Sequence, residues 1–159
     1  SPFRRITYEE AIASLSEAGE EIEWGEDLGT SAEHTLGAMI GELYFITDWP
    51  CAIKPFYAQP AYAEAKSKDT CNAFDLIHPR VELASGSQRV HSYELLKQKI
   101  ESKGLSADSF EFYLDTFRFG MPPHAGWGLG IDRLLMSMLE IENIREVVLF
   151  PRDRRRLAP

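Results

Sequence analysis

The sequence has little of what would mark a secreted, membrane-embedded or generally DNA-binding protein. Only two of its 159 residues are cysteines, which is too few for a disulfide framework. No apolar run approaches the ~18 residues that a membrane-spanning helix needs, and the N-terminus has no secretory signal pattern. The net charge of −8 argues against a broadly basic surface. These absences predict a soluble cytoplasmic protein with neither a membrane nor DNA as its partner.

The two cysteines form no metal or redox motif. Cys51 and Cys71 make no CxxC pair and have no histidines at the spacings typical of zinc sites. In a reducing cytosol we expect free thiols, although the sequence also permits one disulfide between them.

Length and composition indicate one globular domain over residues 1–159, with 44% hydrophobic and 26% charged residues. The predicted elements do not repeat a strand–helix–strand unit, which favours an α+β fold: an antiparallel sheet flanked by helices. Predicted helices start at the capping boxes Thr7-x-x-Glu10 and Thr30-x-x-Glu33 and cover 92–103, 106–117 and the residues after Arg133. Predicted extended segments cover 43–48, 52–57, 74–83, 126–130 and 146–150, and an exposed loop covers 59–72.

Three glycines at every second position form the most informative segment. Gly126, Gly128 and Gly130 predict a strand with one bare face, on which a flat ligand can lie directly against the backbone. The strand runs into an apolar helical pattern, with Asp132 and Arg133 at the junction, where helix N–H groups favour anions. The segment therefore suits a nucleobase on the glycines and a phosphate at the rim.

A second polar group lies between Asp75 and Arg89. Asp75 and Glu82 would face opposite sides of one strand unless a bulge intervenes, for which His78-Pro79 is a plausible place. Two carboxylates brought together suit Mg²⁺ held between protein and phosphates. The planar guanidinium of Arg89 suits bidentate capture of a carboxylate. Ser85 adds a hydroxyl between them.

These segments resemble the class II aminoacyl-tRNA synthetases, and most closely the archaeal-type aspartyl-tRNA synthetases. Residues 119–133 are similar to their motif 3, residues 143–159 to their C-terminus, and Glu82-x-x-Ser85-x-x-x-Arg89 to the segment that joins metal, ATP and amino acid. The resemblance spans nearly the whole chain.

The resemblance implies a role for each matching residue. It implies that Glu82 and Ser85 bind Mg²⁺, with Asp75 as a further acidic group near the metal, and that Ser85 and Arg89 bind the substrate L-aspartate. It implies that Arg89 and Arg133 are the catalytic arginines, with Arg133 on the γ-phosphate. The implied ATP-binding residues are Glu82, Gly130, Ile131, Asp132 and Arg133.

The activity implied is ATP-dependent formation of aspartyl-adenylate and transfer of aspartate to tRNA(Asp), and possibly to tRNA(Asn), by an enzyme that is a homodimer at full length. The family's motifs 1 and 2 and its anticodon-binding barrel find no match here. We therefore expect the C-terminal part of a catalytic domain, with exposed sheet edges and apolar surface. Two alternatives are a paralogue that makes asparagine through the adenylate and a non-catalytic dimerisation or regulatory module.

Simpler interpretations exist for several of these residues. Glu82 and Arg89 could form an ordinary surface ion pair, and Arg133 could cap or pair at a helix start. We expect His124 to bond to loop backbone and His91 to pack against or orient Arg89. The C-terminal arginines are more simply interpreted as solvated charge and ion pairs than as a basic patch. The apolar stripe Leu134, Leu135, Met138 and Leu139 is interpreted as core.

Overall fold

A computed structural model describes residues 3–61 and 69–157 of the chain, which form a five-stranded sheet with helices. The strands are β1 (Arg4–Thr7), β2 (Tyr44–Thr47), β3 (Ala73–His78), β4 (Val81–Gln88) and β5 (Ala125–Leu129). The helices are α1 (Tyr8–Glu17), α2 (Thr30–Ile40), α3 (Tyr93–Ser102), α4 (Glu111–Arg118) and α5 (Ile131–Leu139). Short 3-10 turns cover Ala107–Phe110 and Ile144–Glu146.

The sheet is mixed, with the strands in chain order. The pairs β2–β3, β3–β4 and β4–β5 are antiparallel, as predicted. The pair β1–β2 is parallel, so the expectation of a wholly antiparallel sheet is wrong at this edge. The chain leaves β1 through α1 and α2 before it returns to β2, and a helical crossover of this kind joins parallel neighbours.

The first two helices lie on one face of strands β1 to β3, and α2 also contacts β4. Their buried residues, including Tyr8, Leu15 and Leu36, form one core cluster with Tyr44 and Ile46. Burying these side chains, each worth roughly 1.5–3 kcal/mol, holds the helices on this side of the sheet.

One of the two predicted capping boxes is present. The Thr7 hydroxyl accepts from the Glu10 amide at 3.1 Å, and the Glu10 carboxylate accepts from the Thr7 amide at 2.7 Å. At α2 the prediction is wrong: Gly29 is the cap residue, no side chain caps it, and Thr30 already belongs to the helix. Because Gly has no side chain, the first amides of α2 lack that partner.

The second half of the chain has its own core cluster, in which Val90, Leu96, Ile100, Leu114 and Phe117 are buried. The helix predicted over 92–103 is confirmed, and the Ser92 hydroxyl caps it by accepting from the Leu95 amide at 3.3 Å. The helix predicted over 106–117 divides into a 3-10 turn and α4.

Three extended segments differ from their predictions. Residues 74–83 belong to the hairpin β3–β4, whose turn is formed by Pro79 and Arg80. Residues 52–57 form turns and a bend. In the segment 146–150, Glu146 ends a 3-10 turn and the residues after it form a turn and bends instead of a strand. Period-two alternation does not register a reversal of the chain; the local signals at two of these places are Pro55 and Pro79.

The predicted loop over 59–72 is only partly observable, because residues 62–68 lie outside the described chain. Its described part is only partly exposed: Gln59, Thr70 and Cys71 are buried, whereas Asp69 and Asn72 are exposed. Isolated bridges join Pro60 to Cys71 and Pro50 to Thr70.

The apolar stripe of α5 is not core, contrary to the prediction. Leu135 is 37% exposed, Met138 70% and Leu139 57%, while Leu134 is only partly buried. Periodicity identifies an apolar face, but it does not guarantee that a second element covers it. The expectation of exposed apolar surface is thus met on α5. None of the described helices is both long and apolar enough to cross a membrane.

The cysteines are joined, so the expectation of free thiols is wrong. Cys51 and Cys71 form a disulfide within the first core cluster, with their Cα atoms 5.1 Å apart. Backbone hydrogen bonds from Cys51 to Asp69 (3.0 Å) and from Cys71 to Trp49 (2.8 Å) bring the two segments together. Spacing in the sequence carried no sign of this pairing.

We predict that replacing both Cys51 and Cys71 with alanine lowers the free energy of unfolding by roughly 3 kcal/mol. The cross-link spans 20 residues, and closing a loop of this size restricts the unfolded chain by about that amount. Urea denaturation of the oxidised chain and of the variant measures the difference. Reductant should destabilise the natural chain and leave the double variant unchanged. An equal effect of reductant on both proteins contradicts the prediction.

Candidate functional site

One face of the sheet carries the polar residues in adjacent positions. Asp75 of β3 pairs with Ser85 of β4, which pairs with Gly128 of β5. Ser87 of β4 pairs in the same way with Gly126. Directly opposed residues in a sheet share a face, so these side chains line the same surface, part of which α1 and α2 cover.

A cavity of about 200 Å³ opens on this surface. Two cationic side chains, Lys54 and Arg89, contribute to its wall, together with the hydroxyls of Ser85 and Ser87. The remaining lining residues are Pro55, Tyr57, Ala58, Ala73, Gly86 and Gly128. A cavity of this size with two cations suits a small anionic ligand.

Lys54 is held between an anion and an aromatic ring. Its ammonium lies 2.8 Å from a carboxylate oxygen of Asp75 and 3.8 Å from the centroid of the Trp49 ring. Asp75 is 3% exposed, and its other oxygen, Oδ1, has no hydrogen-bond partner among the described residues. Asp75 therefore mainly neutralises Lys54, a partner that the sequence did not reveal.

Glu82 and Arg133, which are far apart in sequence, meet beside this cavity. Arg133 Nη1 lies 3.6 Å from Glu82 Oε1 and donates to the Glu82 carbonyl at 3.1 Å. The partner of Glu82 is thus Arg133, and the alternative of a simple Glu82–Arg89 ion pair is wrong. Burial raises the pKa of Glu82, Asp75 adds to the rise, and the charges of Arg133 and Lys54 oppose it.

Glu33 of α2 lies in the same electrostatic environment as Glu82, Arg133 and Asp75. The sequence analysis named Glu33 only as part of a capping box and missed it as a residue of the site. Burial raises the pKa of Glu33 to about 6, and the Glu82 carboxylate adds to the rise while Arg133 opposes it. Three carboxylates thus share one electrostatic neighbourhood. No three His, Cys, Asp or Glu side chains of the described segments are grouped so as to hold a metal ion. The predicted set Glu82, Ser85 and Asp75 has only two carboxylates and stays a prediction.

The predicted glycine strand is present as β5, which contains Gly126 and Gly128, and Gly130 follows it directly. The three glycines have different surroundings. A Cβ built on Gly126 would lie 3.1 Å from Arg89 Nη2, and one on Gly130 would lie 3.4 Å from the Arg133 side chain. A Cβ on Gly128 would meet nothing within 4 Å. The open floor is thus centred on Gly128, while Gly126 leaves space for Arg89 and Gly130 leaves space for Arg133. Gly130 is followed directly by α5, whose first residues are Ile131, Asp132 and Arg133.

Arg89 is oriented by groups that the sequence did not single out. Its Nη1 donates to Ser87 Oγ at 2.7 Å, and its guanidinium carbon lies 4.7 Å from the centroid of the Tyr57 ring. No hydrogen bond joins His91 to Arg89 within residues 3–61 and 69–157, and His91 Nδ1 has no partner there. His91 thus does not orient Arg89 by a hydrogen bond.

Two further interpretations, of His124 and of the C-terminal arginines as solvated charge, agree with the structure, since Arg152, Arg154, Arg155 and Arg156 are exposed. His124 Nδ1 lies 2.9 Å from the Pro122 carbonyl, as expected for a loop histidine. Near the C-terminus, Asp153 pairs with Arg145 at 2.5 Å and accepts from the amides of Arg155 and Arg156. The hydrogen bonds from these two amides lower the pKa of Asp153. The C-terminal segment is organised around this carboxylate.

Comparison with known proteins agrees with this geometry. The family model of the class II tRNA synthetases (D, K and N) matches residues 1–154. The chain therefore belongs to this family.

Its curated relatives are named aspartate–tRNA(Asp/Asn) ligases. The chain is 54% identical over 158 residues to the one of Methanocorpusculum labreanum and 56% identical over 158 residues to that of Archaeoglobus fulgidus. Each match covers 99% of this chain but only 36% of the relative. The chain thus spans about a third of the length of these proteins.

Solved structures of the same family superpose closely. An aspartyl-tRNA synthetase of Entamoeba histolytica has a TM-score of 0.92 and 40% identity, over 99% of this chain and 33% of that one. An asparaginyl-tRNA synthetase of Pyrococcus horikoshii, complexed with asparaginyl-adenylate, has a TM-score of 0.90 and 38% identity, over 99% of this chain and 36% of that one. The fold is thus that of class II synthetase domains.

We predict that Glu33→Gln stabilises the chain at pH 7.5 and has less effect at pH 4.5. The folded pKa of Glu33, about 6, lies above the ordinary value of 4.5 for a glutamate, so the folded state loses stability as the pH rises through this window. Because Glu33 is only half-buried, we expect a gain of no more than about 1 kcal/mol. Urea denaturation at both pH values measures it.

The matched control is Glu101→Gln, which changes an exposed carboxylate on α3. The prediction is contradicted if Glu33→Gln gives the same gain at both pH values, or if Glu101→Gln gives an equal gain. Either result would mean that a raised pKa of Glu33 does not destabilise the folded chain at neutral pH.

We predict that Gly86→Ala destabilises the chain by about 1–3 kcal/mol, while Gly128→Ala changes the free energy of unfolding by less than about 0.5 kcal/mol. A Cβ on Gly86 would lie 2.6 Å from Trp127 Cβ and 2.7 Å from the Phe74 ring, whereas Gly128 faces open space. Thermal denaturation of both variants measures the difference. Equal losses would mean that crowding at Gly86 is not the reason for glycine there.

Proposed function

We propose that this chain supplies the part of an aspartate–tRNA ligase that binds L-aspartate and ATP and joins them as aspartyl-adenylate. One observation carries the proposal: Arg89 is oriented at the wall of the cavity, and no carboxylate of the described residues pairs with it. A guanidinium so placed is matched by a carboxylate of the ligand. The names of the curated relatives support aspartate as that ligand.

In this proposal Arg89 pairs with the side-chain carboxylate of aspartate, and the Ser85 hydroxyl lies beside the substrate. Arg89 would also favour aspartate over asparagine. A neutral amide leaves the partly buried cation without a charge partner, which costs on the order of 2 kcal/mol or more.

ATP would lie over the open floor at Gly128 and along residues Gly130, Ile131, Asp132 and Arg133. Arg133 would bind the γ-phosphate, because its guanidinium is half-exposed at the start of α5. Glu82 and Ser85 would hold Mg²⁺ together with phosphate oxygens. The buried Oδ1 of Asp75, which lacks a hydrogen-bond partner in the described chain, is compatible with an indirect role near that ion. Mg²⁺ would neutralise phosphate charge.

The reaction requires positioning more than protein nucleophiles. An α-carboxylate oxygen of aspartate forms a bond to the α-phosphorus of ATP, and the bond to the bridging oxygen breaks, which releases pyrophosphate. A hydroxyl of the terminal ribose of tRNA(Asp), or of tRNA(Asn), then forms an ester bond with the aspartyl carbonyl carbon, and the bond from that carbon to the phosphate oxygen breaks, which releases AMP. Arginines and a bound cation stabilise the charge that develops on phosphate oxygens.

We extend the proposal to the organisation of the protein. Residues 1–159 would fold as one domain, the C-terminal part of a synthetase catalytic domain. The complete enzyme would be a cytoplasmic homodimer. The exposed apolar residues of α5, such as Met138 and Leu139, support the view that further protein covers this surface.

The test is aspartate-dependent ATP–pyrophosphate exchange by the purified chain. We expect exchange with aspartate and not with asparagine, and a loss of at least about 100-fold in Arg89→Ala, because the ligand carboxylate loses its charge partner. Arg118→Ala is the matched control, since Arg118 pairs with Asp115 on α4 and does not line the cavity.

Equal exchange with asparagine, or full exchange in Arg89→Ala, contradicts the assignment of Arg89. A folded chain that binds neither aspartate nor ATP in calorimetric titration would mean that these residues alone do not form the site.

A further inference from the structure

Three neighbours surround the guanidinium of Arg89. The Ser87 hydroxyl accepts from Nη1 at 2.7 Å, the Tyr57 ring lies 4.7 Å from the guanidinium carbon, and Gly126 leaves room for Nη2 and Nε. Of these, only Ser87 offers a directional bond, so it alone can select one orientation of the planar group.

Ser87 is suited to this task by its place in β4. It lies two positions before Arg89, so the two side chains share a face of the extended strand. Ser87 is 4% exposed, and a hydrogen bond to a charged group is stronger where water is excluded.

The backbone around Arg89 is fixed separately. The Arg89 amide donates to the His124 carbonyl at 2.9 Å, and the Val90 amide donates to the Tyr57 carbonyl at 2.9 Å. The remaining conformational freedom of Arg89 is therefore in its long side chain, which loses rotamer entropy when it is ordered. A bond that orders the side chain before the ligand arrives lowers the entropic penalty of binding.

We propose that Ser87 is a positioning residue that presets the guanidinium of Arg89 for a carboxylate ligand. Ser87 acts through Arg89 and does not itself contact the carboxylate. This inference rests on the proposed aspartate-binding role of Arg89, but the orientation of the guanidinium is measurable without any ligand.

The first test is ¹⁵N relaxation of the Arg89 Nε–H group in the ligand-free chain, assigned by its loss in Arg89→Lys. We expect a rigid group, with an order parameter near about 0.85, in the natural chain and a flexible one, below about 0.6, in Ser87→Ala. Ser87→Thr keeps the hydroxyl and should keep the group rigid. Ser102→Ala, which removes a hydroxyl that bonds only to the Lys99 carbonyl of α3, is the control.

The second test is the affinity for L-aspartate, measured by calorimetric titration. We expect Ser87→Ala to raise the dissociation constant about tenfold, the effect of losing one hydrogen bond to a charged group. Because Ser87 acts through Arg89, the same change in an Arg89→Ala background should have no further effect.

An unchanged order parameter in Ser87→Ala overturns the inference, and so does an undiminished effect of that change in the Arg89→Ala background. If the natural chain does not bind aspartate, the proposed function of this chain fails. The relaxation experiment then still decides whether Ser87 orients Arg89.

Discussion

The register of strand β4 between its two neighbours is the constraint on which the site depends. β4 is hydrogen-bonded to β3 on one side and to β5 on the other, so Asp75, Ser85 and Gly128 lie in one row and Ser87 and Gly126 in the next. A slip by one residue would turn Ser85 and Ser87 to the opposite face and replace them with Gly86 and Gln88. Crowding of Gly86 against Phe74 and Trp127 opposes that slip. Packing on one face of the sheet thereby secures the polar groups on the other.

The charges of the site form a balanced set drawn from distant parts of the chain. Lys54 pairs with Asp75, and Arg133 pairs with Glu82, while Glu33 adds a carboxylate whose pKa of about 6 reflects burial and the nearby Glu82. Pairing reduces the penalty for burying each charge. Arg89 differs, since Ser87 and Tyr57 orient it without a carboxylate from the described residues. This contrast separates the arginine offered to a ligand from the cations that already have partners.

Helix α5 is held at the site although its apolar face is exposed. The helix follows the glycine strand directly, and its contacts with β4 place Arg133 beside Glu82. Its apolar residues Leu135, Met138 and Leu139 remain in contact with solvent, although their spacing is that of a core helix. The position of α5 therefore depends on its polar N-terminal residues and on the strand before it more than on burial of its apolar stripe. This agrees with a chain that spans about a third of the length of its relatives.

Local patterns were sufficient for features that depend on neighbouring residues. The capping box at Thr7, the helix over Tyr93–Ser102 and the passage from the glycine strand into α5 follow from caps, period and backbone freedom, and all appear as predicted. The family resemblance rested on the segment with the glycine strand and on residues 82–89 and 143–159, and it is confirmed. The tertiary structure alone decided which distant groups meet: Cys51 with Cys71, Lys54 with Asp75, Glu82 with Arg133, and β1 with a parallel neighbour. These pairings depend on strand register and on chain reversals, which leave no periodic signal in the sequence.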